Sequence, residues 1–366
     1  MFLAVTWILE SDHHSGFSGL PIIIVQPSSQ LKEIALFRKL ALVAVSAIVL
    51  SLVGPTTALA TQSINVGIGD LLDSDQGKLA QRFKEIVEAV SEGNIDVQLF
   101  PGGTLGTEQE MVQNVRSGAL DMAIASTATL ASFVPHFEAL HYPYLIESQD
   151  EAIRATTGYL GNFWNDAGKS RGGFEILGWA HSGFRYLTNS RRPVCTLADL
   201  KGLKIRVPQN RITLATFSAW GATPVPMAWE ETYTALQQGV VDGQEAPYMP
   251  FLEVQKFVSL THYQYKLSPM IIGTKTLESL DDDTRRILTR AGLEAQQYYQ
   301  VHQIHEAEKA RMHAEKMGIA ICSLEDEETW KDIARETVWP RFYDSVGGRQ
   351  VIDTIQLRLG KHLDNR

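Results

Sequence analysis

Three consecutive segments, "INVGIG" (64–69), "GKLAQRFKEIVEAVSEG" (77–93) and "IDVQLFP" (95–101), set the fold class. The outer two are short apolar runs that read as strands. The middle one repeats its apolar residues at helical spacing and stops at Gly93, so the order is strand, helix, strand, the rhythm of an α/β fold. A second run of the same kind begins near Gly173, with "FEILGWA", "RYLTNS", "KIRVP", "NRITLATFSAWG" and "TPVPM" alternating in character, and predicts a second lobe. From about Asp281 to Met317 a single helical pattern is acidic at its start and ends on "KMG", as helix termini prefer. At 1.5 Å per residue it spans roughly 50 Å, longer than one small lobe, so it can tie two lobes together. Gly292 is its one weak point.

The chain has 366 residues, enough for about two domains, each burying its own core. Hydrophobic residues make up 44%, and the formal charge of -9 comes without a long basic tract, which excludes a nucleic-acid surface. The first sixty residues differ from the rest. Lys32, Arg38 and Lys39 precede the apolar run "LALVAVSAIVLSLV" (40–53), Gly54-Pro55 breaks it, and "ALA" (58–60) supplies small residues for cleavage. This predicts an exported protein with a signal peptide over 31–60, cleaved near Ala60, because the run is shorter than the roughly 20 apolar residues of a membrane span. Residues 1–31 make an overlong leader, and a start at Leu31 or Leu36 would restore an ordinary length.

Cys195 and Cys322 are the two cysteines. In an exported protein they fit one disulfide or two buried thiols, and sequence leaves both open. "FPGGTLGTEQEM" (100–111) is a Gly-rich turn into a helix, with Thr107 and Glu110 spaced as a capping box; without a lysine after its last glycine it is no phosphate cradle. "HQIHE" (302–306) lacks a further ligand and the zinc-protease order, so no metal or cofactor is expected. No "GxSxG" elbow marks a nucleophile.

Two arginines, Arg185 in "HSGFRYLTNSRRPV" and Arg206 in "LKGLKIRVPQN", sit in strand-like segments among apolar and aromatic neighbours. A partly buried guanidinium needs a carboxylate or similar anion, preferably held through two parallel hydrogen bonds. Glu231 or Glu245 could supply it internally, or a ligand could. Sequence physics leaves the two readings open. Trp229 lies at a turn in "GATPVPMAWEETYTALQQGVVDGQE" (221–245), where an aromatic face covers either a ligand body or the core.

Together these segments, with "DLKGLKIRVP" and "EVQKFVSLTHY", resemble the solute-binding proteins of tripartite ATP-independent periplasmic (TRAP) transporters, the DctP family, over 63 to about 353. The resemblance implies two α/β lobes of the periplasmic-binding-protein type, a long helix crossing both, and a ligand cleft between them. It implies lobe I over 61–182 and 272–311, and lobe II over 183–271 and 312–366. Arg206 matches the arginine that bridges to a ligand carboxylate, Arg185 a second arginine of many members, Trp229 an aromatic wall and Gln209 a polar contact. Ala246 stands where members commonly have an asparagine, leaving room that Gln244, water or a larger ligand could fill. Ser126 and Thr129 replace the glutamate and arginine of sialic acid binders, which disfavours that ligand and leaves Ser126 as a candidate ligand contact. The expected partners are a small organic acid and the membrane subunits of a TRAP symporter. A sensory binding protein is the alternative, and a secreted enzyme acting on organic acids a more distant one.

Overall fold

The computed structural model describes residues 61–247 and 249–362, the side chains of 302–307 excepted, so the leader and the His302/His305 pair lie outside the described residues. Strand β1 (Gln62–Ile68) pairs in parallel with β2 (Ile95–Phe100) and β3 (Met122–Ile124). The connecting helix α1 (Asp75–Val90) starts where Ser74 Oγ accepts from Gly77 N, and buries Leu79, Phe83, Ile86 and Val87 against this sheet. Helix α2 (Glu108–Ser117) opens on the expected capping box between Thr107 and Glu110. After α3 (Thr127–Ala131), α4 (Gln149–Thr156) and α5 (Gly158–Ala167), strand β4 (Phe174–Phe184) forms the far edge of the sheet.

The second sheet starts one residue later. It takes β5 (Tyr186–Asn189), β6 (Lys204–Val207), β7 (Thr223–Pro226), β8 (Gly243–Ala246) and β9 (Phe257–Leu260), with helices α6 (Leu197–Leu200), α7 (Arg211–Ala219) and α8 (Trp229–Gln237) between them. Strand β10 (Tyr265–Gly273) then returns to the first sheet, inserted antiparallel between β3 and β4. After α9 (Thr274–Ser279) and α10 (Asp282–Lys316), β11 (Ala320–Ser323) joins the edge of the second sheet, followed by α11 (Glu327–Ile333) and α12 (Arg349–Arg358). The orders are β2-β1-β3-β10-β4 and β11-β9-β5-β8-β6-β7.

The long helix behaves as its sequence predicts. Asp281 caps it by accepting from Thr284 N. Leu288, Ala291 and Ala295 pack into the core of the first sheet, while Ala314, near the other end, packs with Met249, Leu252 and Val258 of the second. Gly292 is not a weak point but a contact: a Cβ there would lie 2.4 Å from Leu177 O, and one on Gly178 would lie 2.5 Å from Gly292 O. Any side chain at either position would push helix and strand apart.

Three lobe boundaries move. Residues 183–184, assigned to lobe II from sequence, end strand β4 in the first sheet. Residues 265–271, assigned to lobe II from sequence, belong to the first sheet, because β10 pairs with β4 from Tyr265 onward. Near the C-terminus, Val338, Trp339, Val346, Ile352, Ile355 and Leu359 join the core cluster of Phe137 and Trp164 rather than that of the second sheet. Trp339 packs edge-on against Tyr142 (5.3 Å) and donates its indole N–H to Pro143 O (3.1 Å), which ties the segment to that core. The chain thus crosses between sheets at 184–186, at 260–265 and along α10.

Cys195 and Cys322 form a disulfide, with Cα atoms 5.9 Å apart, tying the loop before α6 to edge strand β11 across 127 residues of sequence. Among the described residues no helix is long and apolar enough to cross a membrane. Replacing both cysteines by serine is expected to lower unfolding free energy by about 2–5 kcal/mol, by release of a long loop in the unfolded chain; denaturant titration of variant and parent checks this, and equal midpoints would contradict it.

Candidate functional site

Between the sheets lies a cleft of about 810 Å³. One wall carries both sequence-predicted arginines, and they are not equivalent. Arg185 occupies the single position between β4 and β5, where its backbone N donates to Gln264 O (2.9 Å) and its O accepts from Thr261 Oγ1 (3.0 Å). Its Nη1 donates to Glu245 Oε1 (3.0 Å) and Oε2 (2.9 Å) and to Glu245 O (3.1 Å). Tyr263 donates its hydroxyl to the same carboxylate at 2.7 Å. Burial works against the Arg185 charge, but Glu245 and Tyr263 outweigh it and raise its pKa above the usual value; Tyr263 is pushed up by burial and by Glu245. Glu245, one of the two carboxylates expected from sequence as an internal partner, is thus the partner of Arg185.

Arg206, in β6, is only 4% exposed. Its Nε and Nη2 donate to Met227 O (3.1 and 2.8 Å), and its guanidinium lies 5.5 Å from the centre of the Trp229 ring. Among the described residues no carboxylate forms an ion pair with it. One edge of the guanidinium is therefore used by the Met227 carbonyl. The end-on edge, with an N–H from each of Nη1 and Nη2, has no partner among the described residues, and it is the edge that fits a carboxylate through two parallel bonds. Burial first, and repulsion from Arg185, push its pKa down to about 10 despite Glu245, Glu108 and Glu230, so it stays cationic at neutral pH.

The other predicted residues divide. Trp229, at the start of α8, lines the cleft and stacks on Phe251 (5.1 Å, 27°). Gln209 and Ala246 also line it. Ser126 lines it too, but its hydroxyl donates to Glu108 Oε2 (2.7 Å), so its one proton is committed within the wall. Gln244 is fully buried and does not line the cleft; its Nε2 donates to Thr188 Oγ1 at 3.3 Å, so it does not fill the room left at Ala246.

The opposite wall comes from residues that sequence reasoning passed over. Glu108 accepts at Oε2 from Ser126 N (3.0 Å), Ser126 Oγ and Thr129 Oγ1 (2.7 Å), and at Oε1 from Gln76 Nε2 (2.9 Å). Asp75 accepts from Ser182 Oγ and pairs with Lys266 (3.4 Å). Asp70, Asp75 and Gln76 stand in the loop and first turn after β1, at the carboxyl end of a parallel strand, where open α/β sheets place their ligands; that position was the available signal. Glu230 spans the gap: its Oε1 accepts from Glu108 N, an open donor of the first turn of α2, at 3.1 Å. Gly103, at φ +67°, lets the loop approach, since a Cβ there would meet Glu230 Cγ at 3.1 Å. Burial first, and Glu108 next, raise the Glu230 pKa. Among the described residues no group of three or more His, Cys, Asp or Glu is placed to hold a metal ion.

Residues 72–345 match the family model for bacterial extracellular solute-binding protein, family 7 (DctP). The chain is 30% identical over 296 residues to the 2,3-diketo-L-gulonate-binding periplasmic protein YiaO of Escherichia coli K12, covering 80% of this chain and 90% of the relative. It is 31% identical over 248 residues to the sialic acid-binding periplasmic protein SiaP of Vibrio cholerae, covering 66% and 77%. Among solved structures, the sugar acid binding protein DctPAm of Advenella mimigardefordensis in complex with galactonate matches at TM-score 0.78 and 27% identity, over 82% of this chain and 98% of that one. A TRAP periplasmic solute binding protein of a Polaromonas species bound to D-erythronate matches at 0.76 and 29%, over 81% and 98%. With two sheets facing across a cleft, and with these relatives, the chain belongs to family 7 of the bacterial extracellular solute-binding proteins, the solute-binding proteins of TRAP transporters.

Proposed function

We propose that the protein captures a small organic acid in the cleft, with Arg206 as the anchor of its carboxylate, and delivers it in the periplasm to the membrane subunits of a TRAP symporter. The observation that carries this reading is the inequality of the two arginines: Glu245 pairs with Arg185, whereas the end-on edge of Arg206 has no partner among the described residues. A buried cation without an anion is costly, and a ligand carboxylate relieves that cost by a charge-assisted, two-point bond. Arg185, with its Nε buried and unpartnered, supplies a further donor from the strand crossing. Trp229 covers the body of the ligand, and Gln209 lies at the edge. The relatives named above bind 2,3-diketo-L-gulonate, sialic acid, galactonate and D-erythronate, all organic acids, which supports the same class here. Export through the 31–60 signal and cleavage near Ala60 fit this role. Capture and release require no bond to be broken, so the reading is of a carrier and not an enzyme.

Asp70 shows what the wall opposite Arg206 costs. Burial raises its pKa to about 6, with Lys266 pulling it back and Asp75 pushing it further up. In the unfolded chain an aspartate titrates near ~3.9. Between these values the folded protein keeps a proton that the unfolded chain has lost, so stability falls as pH rises through the window and stays lowered above it. A carboxylate retained at such a cost fits a binding wall rather than a structural one.

Two outcomes are expected. Arg206→Ala weakens binding of any carboxylate ligand by about 2–5 kcal/mol, read by calorimetry or thermal shift, while Arg206→Met changes ligand-free stability little; Arg185→Met lowers ligand-free stability by about 3–5 kcal/mol because it strands the Glu245 charge. Equal stability losses for the two methionine variants would contradict the assignment. Asp70→Asn gains in thermal midpoint over the parent above about pH 7, and the gain vanishes near pH 4; a difference independent of pH would count against a half-buried carboxyl with a raised pKa.

A further inference from the structure

The unsatisfied polar atoms of the two walls are of opposite kind. On the Arg206 wall they are donors: the end-on edge of Arg206, and the buried Nε of Arg185. On the facing wall the unsatisfied atom is an acceptor. Gln76 is 1% exposed and lines the cleft; its Nε2 is given to Glu108, and its Oε1 is buried with no hydrogen-bond partner among the described residues. A buried acceptor without a donor costs about as much as a lost hydrogen bond, so the site calls for a donor from whatever fills it.

The charges around Gln76 say what kind of donor. Lys266 is paired with Asp75, and the field of Asp70 falls on it as well, so it offers no uncompensated positive charge. Glu108 accepts four hydrogen bonds from its own wall. Lys78 and Lys309, at the lining of the cleft, are engaged in interactions of their own. A second carboxylate on the ligand would face Asp70, Asp75 and Glu108 with no unengaged cation among the described residues beside them, at a cost in like-charge repulsion. A hydroxyl group meets both demands, since it donates to Gln76 Oε1 or Asp70 and carries no charge.

We infer that the ligand is a polyhydroxylated monocarboxylate, with its carboxylate on Arg206 and hydroxyl groups of its tail donating to Gln76 and Asp70, and that this wall rejects dicarboxylates and deoxygenated acids. The inference rests on Arg206 being the carboxylate anchor, and it adds Gln76 and Asp70 as the residues that set specificity. A site built around a hydrogen bond to a hydroxyl discriminates strongly against the analogue lacking it, because its own polar group is left unpaired.

The test uses four-carbon acids of matched size. Erythronate, succinate and butyrate are titrated calorimetrically into the purified protein and into its Arg206→Ala variant, with gluconate as a longer hydroxylated probe. Erythronate or gluconate is expected to bind at least about tenfold more tightly than succinate and butyrate, and to lose that binding in Arg206→Ala. Succinate or butyrate binding as tightly as the hydroxylated acids, with the dependence on Arg206 intact, overturns the inference and leaves the anchor standing. Binding that survives Arg206→Ala, or no binding by any of the four, overturns the anchor and the inference together. Gln76→Leu provides the second reading: the preference for erythronate over butyrate should shrink several-fold, and an unchanged preference would remove Gln76 from the account.

Discussion

One buried carboxylate, Glu245, stands near two buried guanidiniums, and among the described residues its ion pair is with Arg185. The cleft's chemistry depends on that imbalance. Arg185 sits in the single-residue step between the sheets, so the Glu245 and Tyr263 bonds fix the crossing itself, tying β5, β8 and the returning segment before β10 to one point. Arg206, two strands from β5 in the same sheet, is fixed by the Met227 carbonyl instead, which holds the turn leading to Trp229 in place without cancelling the charge. The same residue type therefore plays two parts, one in the fold and one facing the ligand.

The fold converts this local imbalance into a container. Two strand crossings and the helix α10 join the lobes, and the Gly178–Gly292 contact presses that helix onto the first sheet. Across the mouth, Glu230 of one lobe accepts from the first turn of α2 in the other. A hydrogen bond of this kind to a carboxylate contributes about 1.5–3 kcal/mol, and elsewhere Arg211 of lobe II pairs with Glu138 of lobe I (2.6 Å), so a ligand with bonds to both walls adds to contacts that already bridge the lobes. Exclusion of water then strengthens the charge-assisted bonds inside.

Much of this was legible in the sequence, where the physics is local. The strand–helix–strand period of 64–101, the Thr107/Glu110 capping box and the long helix from 282 follow from periodicity and capping, and they stand as read. Arg185 and Arg206 stood out as cations in apolar strands, but which of them Glu245 would reach depends on the pairing of β5, β6 and β8, which no local pattern encodes. Gln244 was misplaced for the same reason: its partner, Thr188, is set by strand register. Gln76, Asp70 and Asp75 look in the sequence like the ordinary polar start of a helix, and gain meaning only when β10 brings Lys266 beside them. The C-terminal segment escaped because the contacts that place it, Trp339 with Tyr142 and with Pro143 O, join residues about 200 apart, which no local pattern encodes.

The most direct measurement is a crystal structure of the protein with a bound carboxylate ligand. The account predicts carboxylate oxygens about 2.8 Å from Nη1 and Nη2 of Arg206, with Glu245 still on Arg185 and Tyr263. A ligand carboxylate seated elsewhere, or a Glu245 carboxylate turned onto Arg206, would contradict it.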